Sequence, residues 1–213
     1  MRQISHSLLL DLPELACCHQ ACFPESFSTK LGLSFTAKSL EWFLAGENRF
    51  LFHISEEGSV IGYCGGFIAQ YQGDGSTSGM MQYAMKEAAM AMLKKPWLFF
   101  NKEVIRFYPL IFKNIKRKIF PLSQTPAFSQ DAGNIKTLSA GLVVIGVDPD
   151  FRGKGAFEML MNHFENEVLK RKITKMNLSV KKHNIAAIKA YAKAGWLTGK
   201  EHTESLEMHK ELF

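Results

Sequence analysis

Two groups of residues in the last third of the chain have the types and spacing to do chemistry. The first is Asp148-Pro149-Asp150-Phe151-Arg152-Gly153-Lys154-Gly155-Ala156. Paired glycines let a backbone approach a ligand and take positive φ, which other residues resist. The unpaired amides and positive dipole end of a helix opening after Gly155 attract an anion such as a phosphate, and Arg152 and Lys154 place two cations beside it. The second group is Asn184 and Tyr191, separated by two helical turns and so on one helix face.

The neighbouring residues supply the elements that must position these groups. Leu142-Val143-Val144-Ile145-Gly146-Val147 reads as a β-branched strand stopped at Asp148-Pro149. After the turn, Phe157, Leu160, Met161, Phe164 and Val168 recur at helical spacing. The loop is not a P-loop, because Ala156 stands where Lys followed by Ser or Thr is needed. It is not the dinucleotide fingerprint G-x-G-x-x-G either, because position 158 is Glu158. Downstream, Leu178-Ser179-Val180 is a short strand, Asn184 is a good N-cap, Ile188 and Tyr191 follow on its face, and Gly195 ends the helix.

These two stretches resemble the signature of the GCN5-related N-acetyltransferase (GNAT) superfamily. In that family a hydrophobic strand, an x-Pro step and a Gly-rich loop bind the pyrophosphate of coenzyme A, and Val147, Pro149, Arg152, Gly153, Lys154 and Gly155 match. Phe157 departs, standing where the family usually carries Gly or Ala. The run from Asn184 through Ala187, Tyr191, Lys193 and Gly195 to Trp196 is similar to the family's second motif. The resemblance implies acetyl-CoA as cosubstrate, bound by Ile145, Gly146, Val147, Arg152, Gly153, Lys154, Gly155, Ala156, Asn184 and Tyr191. It further implies that the strands containing Ile145 and Ser179 splay apart, that pantetheine lies in the wedge, and that Tyr191 is the acid for the departing thiolate.

Length and composition fit one α/β (α+β) domain over all 213 residues. The expected architecture is a mixed, mainly antiparallel sheet with helices on both faces and a helical insertion at about 71–134. Cys17, Cys18 and Cys22 lie on one predicted helix and Cys64 in a strand, without paired C-x-x-C spacing, which reads as small buried thiols in a reducing compartment. No metal is expected, and Leu8-Leu9-Leu10 is cut short by Asp11 and Pro13, so a cytoplasmic address is expected. The net charge of +6 suits a phosphate-bearing partner.

In chain order, Arg2–Leu10 reads as a first strand, Leu12–Cys22 as a helix, and Thr36–Leu44 as a second helix capped by Thr36. The loop from Phe23 to Gly32 is where the resemblance places acceptor contacts. Phe50–Ser55 and Val60–Ala69 form a strand pair across Glu56-Glu57-Gly58, and Gly73–Gly79 reads as a flexible connector. Met80 to Phe120 carries helical periodicity broken at Pro96 and Pro109. Between Lys94 and Lys118 eight cations face the single acid Glu103, a surplus of seven. This 94–120 segment is a candidate lid over the acceptor, peripheral membrane contact or dimer contact, set against a pair of helices that merely carry solvated lysines. Nucleic acid ranks lower, since no recognised binding fold accompanies the patch. The sheet resumes at Ile135–Val147, followed by strands at Thr174–Val180, Trp196–Leu197 and Ser205–His209.

The chemistry implied is direct attack of a primary amine, of an amino sugar or another small molecule, on the thioester. A protein amine is the alternative acceptor, and a catalytically silent coenzyme A-binding regulatory module the alternative class. Many relatives carry a glutamate on the strand entering the anion loop, but Thr137-Leu138-Ser139-Ala140-Gly141-Leu142 holds no carboxylate. Histidine is the residue type suited to a general base near neutral pH, and nothing in the sequence assigns His53, His183 or His209 to that role.

Overall fold

The computed structural model describes residues 1–69, 76–101, 105 and 138–213. In order these form β1 (Arg2–His6), α1 (Leu12–Cys22), α2 (Phe27–Leu31), α3 (Leu33–Glu41), β2 (Arg49–Glu56), β3 (Ser59–Ala69), α4 (Ser76–Tyr83) and α5 (Met85–Lys94). They continue with β4 (Ser139–Val147), α6 (Ala156–Lys170), β5 (Lys175–Lys181), α7 (Ile185–Lys193), β6 (Leu197–Glu201) and β7 (Ser205–Glu211). The strands make one seven-stranded sheet in the order β1-β2-β3-β4-β5-β7-β6. Every neighbouring pair is antiparallel except β4 and β5, which are parallel. The expected mixed, mainly antiparallel sheet with helices on both faces is the one observed.

Strand alternation divides the core. Phe50, Phe52 and Ile54 of β2 face one side, where they pack with Leu160, Met161, Phe164 and Val168 of α6. Leu51 between them faces the other side and joins Leu15, Cys18 and Cys22 of α1 with Phe43 and Tyr63. A third cluster joins Phe27, Leu31 and Phe35 of α2 and α3 to Ala84, Ala88 and Leu98 around α5.

Several boundaries differ from the sequence reading. β1 ends at His6, and Leu9–Asp11 is a 3-10 turn. The stretch expected as a loop contains α2, capped by Ser26, whose Oγ accepts from the Thr29 amide at 3.2 Å. α3 starts at Leu33, one turn before the expected cap, because Gly32 at φ +105° lets the chain reverse there. Thr36 is instead a buried helix residue whose hydroxyl donates to Ser28 O and Gly32 O, at 3.2 and 3.1 Å. α4 begins inside the expected connector, at Ser76. Cys18, Cys22 and Cys64 are buried as expected, but Cys17 is exposed, on the outer face of α1. The Pro109 break, most of the cationic 94–120 segment and the strand residues from Ile135 to Thr137 lie outside the described residues.

Candidate active site

The site is built on an interruption in the sheet. β4 and β5 pair from Ser139 with Lys175 to Leu142 with Leu178, and no pair follows. On its other edge β4 stays paired to β3 as far as Val147 opposite Gly62. That ladder shifts register between Gly65 and Gly66, which oppose Val144 and Leu142, so Val143 is the extra residue of a β-bulge. A bulge bends its own strand and increases the local twist. Here it sits at the residue where the parallel pairing stops, and it turns Val143–Val147 away from Ser179–Lys181. Val143, Val144 and Ile145 are only partly buried, between fully buried residues on either side. The predicted splay of the Ile145 and Ser179 strands is therefore present, with strand edges lining the opening.

Below the opening the chain turns through the anion loop. Asp148 Oδ1 accepts from the Asp150 amide at 3.0 Å, starting a 3-10 turn over Pro149–Phe151. Gly153 and Gly155 sit at φ +72° and +85°, and a Cβ at either would meet nothing within 4 Å. Glycine is required there by backbone conformation, not by crowding. Gly155 is the N-cap of α6, and the first helical bond runs from the Met159 amide to Gly155 O at 3.1 Å. Among the described residues, the amides of Gly153 through Glu158 meet no backbone acceptor, so this helix N-terminus is open to an anion.

The two cations of the loop behave differently. Arg152 Nε donates to Val147 O and its Nη2 to Cys22 O, both at 3.0 Å, so the guanidinium clamps the end of β4 to the end of α1. Lys154 Nζ donates to Asp150 O at 2.8 Å and lies 5.5 Å from the centre of the Phe151 ring, with protons to spare for a ligand. Arg2 reaches across from β1 and donates to the Lys154 carbonyl.

Asn184 and Tyr191 lie on α7 as expected. Asn184 Oδ1 accepts from the Ala187 amide at 3.2 Å, so it caps the helix. Tyr191 packs between Phe157 at 5.9 Å and Trp196 at 6.1 Å between ring centres. Phe157 thus packs its ring against the core beside Tyr191. Burial raises the Tyr191 phenol above its ordinary range, with a smaller contribution from Cys64, the β3 residue paired with Ile145. The phenol is therefore protonated throughout the working pH range.

The opposite face of β4 meets α1. A Cβ on Gly146 would come within 3.0 Å of Cys22 Sγ and of the Phe23 ring, so only glycine lets the strand pass so close to the helix end. One turn back on α1, His19 Nδ1 is hydrogen-bonded to the buried Tyr63 hydroxyl and its Nε2 to Ser28 Oγ at 2.6 Å. Tyr63 is the β3 residue opposite Gly146. Burial lowers the His19 pKa to about 4, which keeps the imidazole neutral. The sequence reading missed this network, although Leu12, Leu15, His19 and Cys22 recur at three- and four-residue steps and so put His19 on the buried stripe of α1.

The three histidines considered from sequence have other surroundings. His53 is buried on β2 with Nδ1 3.0 Å from Ser7 Oγ, while His183 and His209 are exposed. Among the described residues, His6, His163 and Glu167 bring ligand-type atoms within 4.8 Å of one another. Glu167 is already engaged by Lys170 at 2.7 Å and Arg171 at 2.8 Å, so a cation arriving there would meet two others. The cluster reads as an ion-pair network.

The chain also has counterparts among known proteins. The model of the acetyltransferase (GNAT) family matches residues 128–196, which span β4, the anion loop, α6, β5 and α7. Over that third of the chain the match is to the GNAT acetyltransferases. The acetyltransferase fold extends over the full length. The chain is similar to the ribosomal-protein-S18-alanine N-acetyltransferase of Escherichia coli, with 16% identity, TM-score 0.56, and 99% of this chain and 94% of that one covered. It is similar to the PaiA N-acetyltransferase of Thermoplasma acidophilum, solved with coenzyme A, with 11% identity, TM-score 0.58, and 100% and 99% covered. It is also similar to NAA60 of Arabidopsis thaliana, solved with acetyl-CoA, with 13% identity, TM-score 0.57, and 100% and 99% covered. At these identities the structural likeness establishes the fold. The match over residues 128–196, on a fold shared with acetyltransferases solved with coenzyme A and acetyl-CoA, makes this chain an acyltransferase with acetyl-CoA as cosubstrate. No helix among the described residues is long and apolar enough to cross a membrane.

Proposed function

We propose that this acetyltransferase passes the acetyl group of acetyl-CoA directly to a primary amine on a small molecule, such as an amino sugar. The observation that carries the reading is the end of β4–β5 pairing at Leu142 and Leu178, beside the Val143 bulge. Backbone groups left unpaired at a strand edge seek partners, and the amides of pantetheine would supply them at Ile145, Gly146 and Val147 in place of β5. The pyrophosphate then falls to the amides of Gly153, Lys154, Gly155 and Ala156. Lys154 adds charge, and Arg152 fixes the loop through its two carbonyl contacts.

In the reaction the amine nitrogen attacks the thioester carbonyl carbon, and a backbone N–H on the splayed part of β4 stabilises the oxyanion. The C–S bond breaks, the thiolate takes the proton of the Tyr191 hydroxyl, and the phenolate regains a proton from water. Asn184 keeps the start of α7, and with it Tyr191, in place. The amine proton leaves through water. His19 is a poor acceptor for it, because at about 4 its conjugate acid is roughly six units stronger than a free ammonium. Its two hydrogen bonds instead pin α1 and α2 over the acceptor side of β4.

The test is calorimetric titration with acetyl-CoA and coenzyme A, followed by thiol release against small amines, amino sugars and peptides with free N-termini. Binding with release on a small amine is the expected result. Release on peptides alone would move the acceptor to protein, binding without release on any class would favour a coenzyme A-binding regulatory module, and no binding would overturn the site.

A further inference from the structure

The surface of α5 divides into two unlike halves. Ala88 is buried, and Glu87, Ala91 and Met92 are partly buried, toward α2 and α3. Glu87, the one acid of α5, has its Oε2 buried. The other arc is exposed and consists of Met85, Lys86, Ala89, Met90, Leu93 and Lys94. Successive residues turn by about 100°, so these six fall within one half of the helix. The chain then enters a 3-10 turn, Pro96–Phe100, fixed from below by buried Leu98 and by Lys95 Nζ donating to Lys30 O at 3.0 Å. Trp97 and Phe100 project from that turn.

Fractional exposures are 53% for Met85, 54% for Met90, 77% for Leu93, 64% for Trp97 and 83% for Phe100. Single exposed apolar residues are ordinary, but five on one helix arc and the turn that continues it form a patch. We propose that this face of α5 and the following turn seats the enzyme on an anionic lipid surface. The arc combines apolar side chains with lysines and carries no acid, which is the composition of a helix lying in a membrane interface. Tryptophan suits the headgroup level, and lysine stems reach from an apolar face to charged headgroups. A second copy of the chain fits less well, since a two-fold contact through this face would bring the lysines of one copy near those of the other. The cation surplus of seven between Lys94 and Lys118, which begins on this face, points the same way. The face backs onto α2 and α3.

The experiment is co-sedimentation of the full chain with phosphatidylcholine vesicles with and without phosphatidylserine, across a salt series, alongside light-scattering mass measurement. Binding is expected only with phosphatidylserine and weakens as salt rises. Leu93→Glu paired with Phe100→Ala lowers it at least about tenfold while coenzyme A binding and circular dichroism are unchanged. Absence of binding to phosphatidylserine vesicles overturns the proposal, as does binding that the double variant leaves intact. A dimer that the double variant dissociates, with no vesicle binding, also overturns it and makes the face a contact between copies.

Discussion

Gly155 offers a perturbation in which folding and ligand binding separate cleanly. It sits at φ +85° at the head of α6, and a side chain there would meet no atom within 4 Å. Gly155→Ala therefore costs only the left-handed backbone, about 1–2 kcal/mol. For a chain of this size that lowers the melting temperature by roughly 2–8 °C. Gly155→Glu carries the same backbone cost and places a carboxylate at a helix N-terminus, where it is favourable by about 0.3–1 kcal/mol. The Glu variant should then melt no lower than the Ala variant. Coenzyme A binding should part the two. A carboxylate about 6 Å from a phosphate charge is repelled by between 0.7 and 3 kcal/mol as the effective dielectric runs from about 80 to 20. With two charges on the pyrophosphate, about 3 kcal/mol is a middle value, or roughly a hundredfold in Kd. Thermal melts and calorimetry with coenzyme A on both variants measure the two effects. If the Glu variant binds within about threefold of the Ala variant, no phosphate lies at this loop and the cofactor placement fails.

Other consequences are equally direct. Tyr191→Phe keeps the ring contacts with Phe157 and Trp196 but removes the phenol proton; kcat should fall about ten- to a hundredfold with little change in KM for acetyl-CoA, and unchanged kcat would leave Tyr191 a core residue. His19→Gln should destabilise by about 1–2 kcal/mol in urea yet leave the pH profile of kcat/KM in place, whereas loss of an ionisation from that profile would make His19 the base. Glu167 is raised by burial, but the hydrogen bonds from Lys170 and Arg171 outweigh this and bring its pKa to about 2. A depressed carboxyl stabilises the fold above its unfolded value and loses that contribution as pH falls from about 4.5 through 2, here about 2–3 kcal/mol after allowing for the exposed Lys170. Urea unfolding of Glu167→Gln should show a correspondingly flatter loss over that window, and an unchanged slope would place the acid sensitivity elsewhere.

Much of this architecture was legible because it rests on local chemistry. The Val144–Val147 run, the glycines that take positive φ and the Asn184 cap each act over a few residues, and each is where the sequence reading put it. α2 and the start of α3 were hidden because Gly32 acts there as a reversal rather than a loop marker, and Thr36 resembles a cap while its hydroxyl donates to carbonyls inside the turn. Hydrophobic periodicity also could not distinguish the covered from the uncovered side of α5, since Met85 and Met92 are chemically alike and only the position of α2 and α3 separates them.

The candidate site divides in the same way. The splay was expected from the family resemblance alone, because no residue type announces it. Its physical origin is a mismatch in count, one extra residue at Val143 between Gly65 and Gly66, and a count becomes visible only when two strands are set side by side. Arg152 illustrates the opposite limit. Its charge and place in the motif suggest an anion contact, while its Nε and Nη2 also donate to Val147 O and Cys22 O, and Cys22 is 130 residues away in sequence. That clamp and the Gly146 approach to Cys22 and Phe23 join the β4 end to α1 from both sides. The proposed cofactor edge and the proposed acceptor face would thus be held by the same few backbone atoms. A change at Cys22 or Gly146 that shifts α1 should therefore disturb coenzyme A binding and acceptor selectivity together, although neither residue lies in the anion loop.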